Sequence, residues 1–220
     1  MWEWVSDDNT EVLEAWLNVL GGLDWVVMGF SCQGMSVANR NGQGLRCRKS
    51  SVFFPGLRIL QTAQTVSAQT CFTFECTDFR TKFPEDYDTA CQGLGVEAVL
   101  LEAGKIEAAW RSRLFWSNFE ILPLQDRARA PGDVLEPGRQ PAGRWRDKLP
   151  TIMASGTGSW NMQACVVEET DEGPVYGPLR ITEAERCMGM EENATRVIGE
   201  DGLLLPEQAR WRAVVCSLCS

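Results

Sequence analysis

The strongest constraint on the fold is an ordered run of strand, polar loop, helix and second strand within the first third of the chain. Leu23-Asp24-Trp25-Val26-Val27-Met28-Gly29 is a short, nearly continuous apolar run ending in glycine, the pattern of a buried parallel strand. The following stretch, rich in Gly, Asn, Ser and Arg, predicts a loop. Residues 51–68 place Phe53, Phe54, Leu57, Ile59, Leu60 and Val66 at helical spacing, with Pro55 in the first turn. Thr70-Cys71-Phe72-Thr73-Phe74-Glu75 predicts a second buried strand whose end presents a carboxylate. Residues 95–101 and 114–118 predict two more strands. Such alternation implies an α/β parallel sheet, and these sheets carry chemistry at the C-terminal ends of their strands. Cys32 and Glu75 both fall there.

From Pro123 to Lys148 the pattern changes. Pro, Gly and Arg dominate, apolar periodicity is lost, and Arg127, Arg129, Arg139, Arg144, Arg146 and Lys148 accumulate, as in a linker or an irregular lobe. Order resumes at Leu149-Pro150-Thr151-Ile152. Residues 182–190 predict a short helix opened by a Thr182 N-cap and stopped by Gly189, and Pro206–Cys216 predicts a final helix. A chain of 220 residues accommodates one substantial core, or one core and a small lobe.

The absence of histidine excludes Ser-His and Cys-His catalysis and any zinc site that needs imidazole. Cys216-x-x-Cys219 has no second CxxC beside it, so no metal is assigned. The acidic N-terminus, Met1 to Asp8, lacks an apolar signal region, and no run of about 18 apolar residues offers a membrane span. These features point to a reducing, intracellular setting in which the nine cysteines are thiols. The net charge is −9, yet no acidic residue lies between Asp24 and Glu75. Arg40, Arg46, Arg48, Lys49 and Arg58 fall inside that interval, a local basic surface compatible with phosphate contact.

Three segments then act together. Gly29-Phe30-Ser31-Cys32-Gln33-Gly34-Met35-Ser36-Val37-Ala38-Asn39 resembles the G-x-P-C-Q-x-x-S nucleophile loop of DNA cytosine-5 methyltransferases. Phe72-Thr73-Phe74-Glu75-Cys76-Thr77 stands where that family has a strand ending in Glu-Asn-Val. Ala108-Ala109-Trp110-Arg111-Ser112-Arg113-Leu114-Phe115-Trp116-Ser117-Asn118 is similar to its R-x-R segment, and most like A-A-x-R-A-R-Y-F-W-G-N of the animal de novo enzymes. Residues 149–155 are similar to the segment flanking the target-recognition region, 181–190 to the E-x-x-R-x-x-G segment after it, and 209–212 to the approach to the last motif. The resemblance runs from about residue 20 to residue 216.

It implies a Rossmann-like S-adenosylmethionine-dependent methyltransferase sheet and a covalent mechanism. Cytosine C5 is a poor nucleophile until a thiolate adds to C6. By resemblance Cys32 supplies that thiolate, and Glu75 holds the N3 and amino edge and protonates N3. Arg111 and Arg113 order the loop and the base by charge-assisted hydrogen bonds. Gln33, Ser36, Arg40, Arg46, Arg48 and Lys49 grip DNA around a flipped cytosine.

Four departures accompany it. Ser31 replaces proline, Cys76 and Thr77 replace Asn-Val, and Ala109 takes the usual Gln position. No F-x-G-x-G turn or acidic ribose-binding residue precedes Asp24, so the cofactor half is missing and no residue is assigned to S-adenosylmethionine. The expected organisation is an N-terminal segment (1–20), a partial catalytic core (21–122), a small irregular target-recognition lobe (123–180) and a return to the core (181–220). The alternative is an inactive or truncated methyltransferase-like regulator that binds DNA or a full-length methyltransferase. A homo-oligomer is a further expected partner, and the expected location is nuclear in a eukaryote and cytoplasmic otherwise.

Overall fold

A computed structural model describes residues 9–36, 39–125, 127, 129–152 and 163–195. The acidic N-terminus, Val37 and Ala38, residues 153–155, the helix expected at 206–216, residues 209–212 and the Cys216/Cys219 pair lie outside the described residues. The chain divides into two compact units, Met1–Leu101 with Arg113–Leu122 and Glu102–Ser112 with Pro123–Ser220.

In the first unit helix α1 (Thr10–Leu20) precedes strand β1 (Trp25–Gly29). Gly21, in the left-handed region at φ 80°, ends α1 by donating its amide to the carbonyls of Asn18 and Leu17. Helix α2 (Phe53–Val66) leads to β2 (Cys71–Thr77), and α3 (Pro84–Leu94) leads to β3 (Val99–Glu102) and β4 (Ser112–Ser117). The sheet order is β1-β2-β4-β3, with β1 parallel to β2 and β4 antiparallel to β2. This corrects the all-parallel expectation. A parallel neighbour needs a crossover connection, usually a helix, and the return from β3 to β4 through residues 103–111 contains only a single 3₁₀ turn, Ala103–Lys105.

Alternation along the strands decides where the core lies. Val26, Phe72, Phe74, Cys76, Leu114 and Trp116 point to one face and pack against Leu17 of α1, Phe53, Leu60 and Ala63 of α2, and Ala90, Cys91 and Leu94 of α3. On the other face Trp25 is 53% exposed and Val27 73% exposed. The buried parallel strand expected at 23–29 is therefore an edge strand covered on one side only. A continuous apolar run does not reveal that a covering layer is absent among the described residues. Strand β2 also runs two residues past Glu75, so the carboxylate sits near its end rather than at it.

The second unit contains an antiparallel sheet of β5 (Arg139–Pro141), β6 (Val166–Thr170) and β7 (Gly173–Gly177), followed by helix α4 (Ile181–Cys187). It has an apolar core of its own, built on Ala108, Val134, Leu149, Ile152, Val166, Leu179, Ile181 and Ala184, with a buried polar cluster beside it. Buried Glu183 pairs with Arg139 and accepts the backbone amides of Glu136 (3.0 Å) and Arg180 (2.7 Å). Arg139 also donates to the Pro178 carbonyl at 2.7 Å, so the pair is buried with hydrogen bonds to both partners. The N-cap of α4 is Arg180, not Thr182, whose hydroxyl donates to Glu136 at 3.0 Å. The Glu183 carboxylate reaches back to cap the Arg180 amide, which starts the helix two residues before the expected Thr182 N-cap.

Candidate active site

Strand β1 ends at Gly29 and the chain turns at once into a 3₁₀ turn, Cys32–Gly34. The Cys32 carbonyl closes it by accepting the amides of Met35 (3.0 Å) and Ser36 (2.8 Å). Cys32 is half-buried and packs against the same core as β2. Ser31 adopts φ −59°, the value a proline ring would impose. Its hydroxyl accepts the Gln33 amide at 3.4 Å, so hydrogen bonding takes the place of ring constraint.

Ser50, absent from the sequence-based site, holds the turn from below. Its fully buried hydroxyl accepts the Gly34 amide at 3.1 Å and donates to the Ser31 carbonyl at 2.8 Å, which clamps both sides of Cys32. Nothing in a serine sixteen residues downstream signals this in sequence. Lys82 is a second such residue: its ammonium donates to the Ser36 carbonyl at 3.0 Å and also to that of Asn39. The register of the loop is set by these long-range contacts, not by its own composition.

Gly34 is required by close approach. A β-carbon there would overlap that of Cys47 and come within 2.7 Å of Ser50 Oγ and 2.8 Å of the Gly44 carbonyl. Gly34→Ala is expected to destabilise the unit by about 1–3 kcal/mol, the usual cost of overpacking, as measured by urea denaturation. An unchanged midpoint would show that the turn can move away from Cys47. Gly44 combines a left-handed φ of 61° with a β-carbon position filled by the Asp86 carboxylate, which caps the Leu45 amide at 2.9 Å.

Glu75 lies on β2 directly opposite Gly29, and its carbonyl accepts the Phe30 amide at 3.3 Å. The Glu75 carboxylate pairs with Arg113 Nε of β4 at 2.8 Å, with both side chains about six-sevenths buried (16% and 14% exposed). Desolvation makes such a pair stronger than an exposed one and orients the carboxyl group. Arg111 belongs to the second unit, where its amide donates to Glu102 Oε1 at 2.7 Å. Glu102 gathers that whole turn, accepting also from the Gly104 amide and the Ser112 hydroxyl.

Cys76 follows Glu75 and points to the opposite face. Its buried thiol donates to the Phe30 carbonyl at 3.8 Å and lies 3.9 Å from Met35 Sδ. Burial, then the neighbouring Cys32 thiol and the Glu75 carboxylate, push its pKa well above that of an ordinary thiol. A sulfur thus braces the loop from the position where the resemblance has asparagine.

The residues expected to contact DNA lie on the same loop and its continuation. Arg40, Arg46, Arg48 and Lys49 are exposed. Lys49 donates to Gln33 Oε1 at 2.6 Å and Asn39 donates to the Gln33 carbonyl at 2.6 Å, so Gln33 is fixed at the surface. Ser36 is half-buried and engaged through its carbonyl by Lys82.

No family model matches the chain, and no curated protein matches its sequence. Among solved structures, a crystal structure of the S. pombe Dnmt2 methyltransferase is similar, with a TM-score of 0.50 at 14% identity over 87% of this chain and 73% of that one. The fold is methyltransferase-like. At this identity the likeness speaks for the mixed α/β architecture alone.

Proposed function

We propose that the chain is the base-handling part of a DNA cytosine-5 methyltransferase. The observation that carries the reading is the position of Cys32 in the turn directly after β1, beside the Glu75–Arg113 pair on neighbouring β2 and β4, with Phe30 hydrogen-bonded to Glu75 and braced by Cys76. Cys32, as thiolate, adds to C6 of an extruded cytosine while Glu75 delivers a proton to N3, which leaves an enamine with a nucleophilic C5. Arg113 holds the carboxyl of Glu75 in place. Arg40, Arg46, Arg48 and Lys49 contact phosphates beside the displaced base. The resemblance of the Ala108–Asn118 segment to that of the animal de novo enzymes supports a reading nearest that branch.

S-adenosylmethionine is the methyl donor that this reaction class uses, and no described residue is assigned to it. The chemistry assigned to the chain therefore stops at the enamine. Cys76, where the resemblance has asparagine behind the nucleophile turn, favours a second reading, a methyltransferase-like regulator that binds DNA or a full-length methyltransferase without turnover.

Both readings are separated without a methyl donor. An enamine protonated at C5 by solvent, then relieved of its original C5 hydrogen and of Cys32, returns cytosine with an exchanged hydrogen. Oligonucleotides tritiated at cytosine C5 should release tritium to water on incubation with the chain. Retention on DNA without release would support the regulator, and release from RNA alone would overturn the DNA assignment.

A further inference from the structure

The thiol of Cys76 touches both flanks of the turn that carries Cys32. It reaches the carbonyl of Phe30, two residues before Cys32, and the thioether of Met35, three residues after it. Phe30 continues β1 alongside Glu75, so the turn that carries Cys32 folds back over the strand position of Cys76. Both sulfurs belong to one packed cluster. Their exposure differs sharply, since Cys76 is 1% exposed and Cys32 is half-buried.

We propose that Cys32 and Cys76 form a redox pair, in which peroxide oxidises Cys32 and Cys76 closes a reversible disulfide onto it. In the first step the Cys32 sulfur displaces water from hydrogen peroxide: the O–O bond breaks, an S–O bond forms, and sulfenic acid and water result. In the second, the Cys76 sulfur attacks the Cys32 sulfur; the S–O bond breaks, the S–S bond forms, and the Cys76 proton leaves with the hydroxyl as a second water. The sulfur of Cys32 is reduced in that step and the sulfur of Cys76 oxidised, for a net loss of two electrons from the pair to peroxide. The oxidant reaches the half-buried sulfur first, and the buried one needs no solvent access to resolve it. The elevated pKa of Cys76 keeps it protonated and protects it from direct oxidation.

Cys47 is the rival partner, because its β-carbon packs against Gly34. Its pKa is lowered, chiefly by the backbone amide of Lys49. Cys76 touches the turn of Cys32 on both sides, and the charge of Cys32 acts on it. The pairing requires this juxtaposition alone and stands whether or not the chain transfers methyl groups. It would make any chemistry of Cys32 sensitive to peroxide yet recoverable by thiol reductants.

The test treats the full chain with equimolar hydrogen peroxide, caps remaining thiols with N-ethylmaleimide and maps unreduced peptides by mass spectrometry. The expected product joins the Cys32 and Cys76 peptides, is lighter than the two thiol peptides by two hydrogens, and disappears with dithiothreitol as Cys32 alkylation returns. In Cys76→Ala the Cys32 sulfenic acid should persist and be captured by dimedone. Conversion of Cys32 to sulfinic acid with Cys76 still a thiol, or a Cys32–Cys47 link, would overturn the proposal. The wild-type mapping decides this even if the Cys76 variant fails to fold.

Discussion

Cys32→Ala is expected to lower tritium release from C5-labelled cytosine by at least about 10³-fold while leaving DNA retention within a few-fold of wild type. The size of the effect follows from its chemistry. Without a sulfur at position 32 nothing adds to C6, and no other described residue stands in the same turn to replace it. The structural cost should be small. Cys32 is half-buried, and the turn is closed by its backbone carbonyl and by Ser50, neither of which depends on the thiol. Cys32→Ser is the companion variant. A hydroxyl at this position has a pKa far above the working range, so serine should be nearly as inactive as alanine. Residual exchange above about a tenth of wild type in either variant would remove Cys32 from the role of nucleophile.

The second large effect is expected at Glu75. Glu75→Gln keeps the shape of the side chain and a hydrogen bond to Arg113, but it removes the transferable proton. Exchange should fall by about 10²–10⁴-fold, the usual contribution of a positioned general acid. Arg113 acts through Glu75: Nε lies 2.8 Å from Oε1, and both groups are largely desolvated. Arg113→Lys retains a charge but loses the planar guanidinium and should reduce exchange less than Glu75→Gln. The two substitutions should be strongly non-additive, because once Glu75 is gone Arg113 has no carboxylate to orient. Additive losses would show that Arg113 acts elsewhere, and a Glu75→Gln variant with unchanged exchange would dismiss the proton-donor role. A Glu75→Gln loss accompanied by unfolding at lower urea would instead assign the pair to stability, so both quantities belong in one experiment.

Exchange at C5 without methyl transfer is the activity that the Cys32 turn and the Glu75–Arg113 pair should support by themselves.

Much of this was legible before any coordinates. Apolar runs and helical spacing placed β1, α2 and β2 because those patterns record which face of each element is buried, and burial is written locally every two or three to four residues. The same order put Cys32 and Glu75 at neighbouring strand ends, since parallel strands joined by a helix align their C-terminal ends. Tertiary structure alone decided the remainder. It made β4 antiparallel, left Trp25 and Val27 uncovered, and brought Arg113 to Glu75 through a register that residue spacing does not encode. It supplied Ser50, Lys82 and Cys76 as braces of the nucleophile turn, from 16 to 46 residues away in sequence. Hydrogen bonds across such separations depend on how packed layers meet, and a single hydroxyl, ammonium or thiol carries no periodic signal that would announce where it will land.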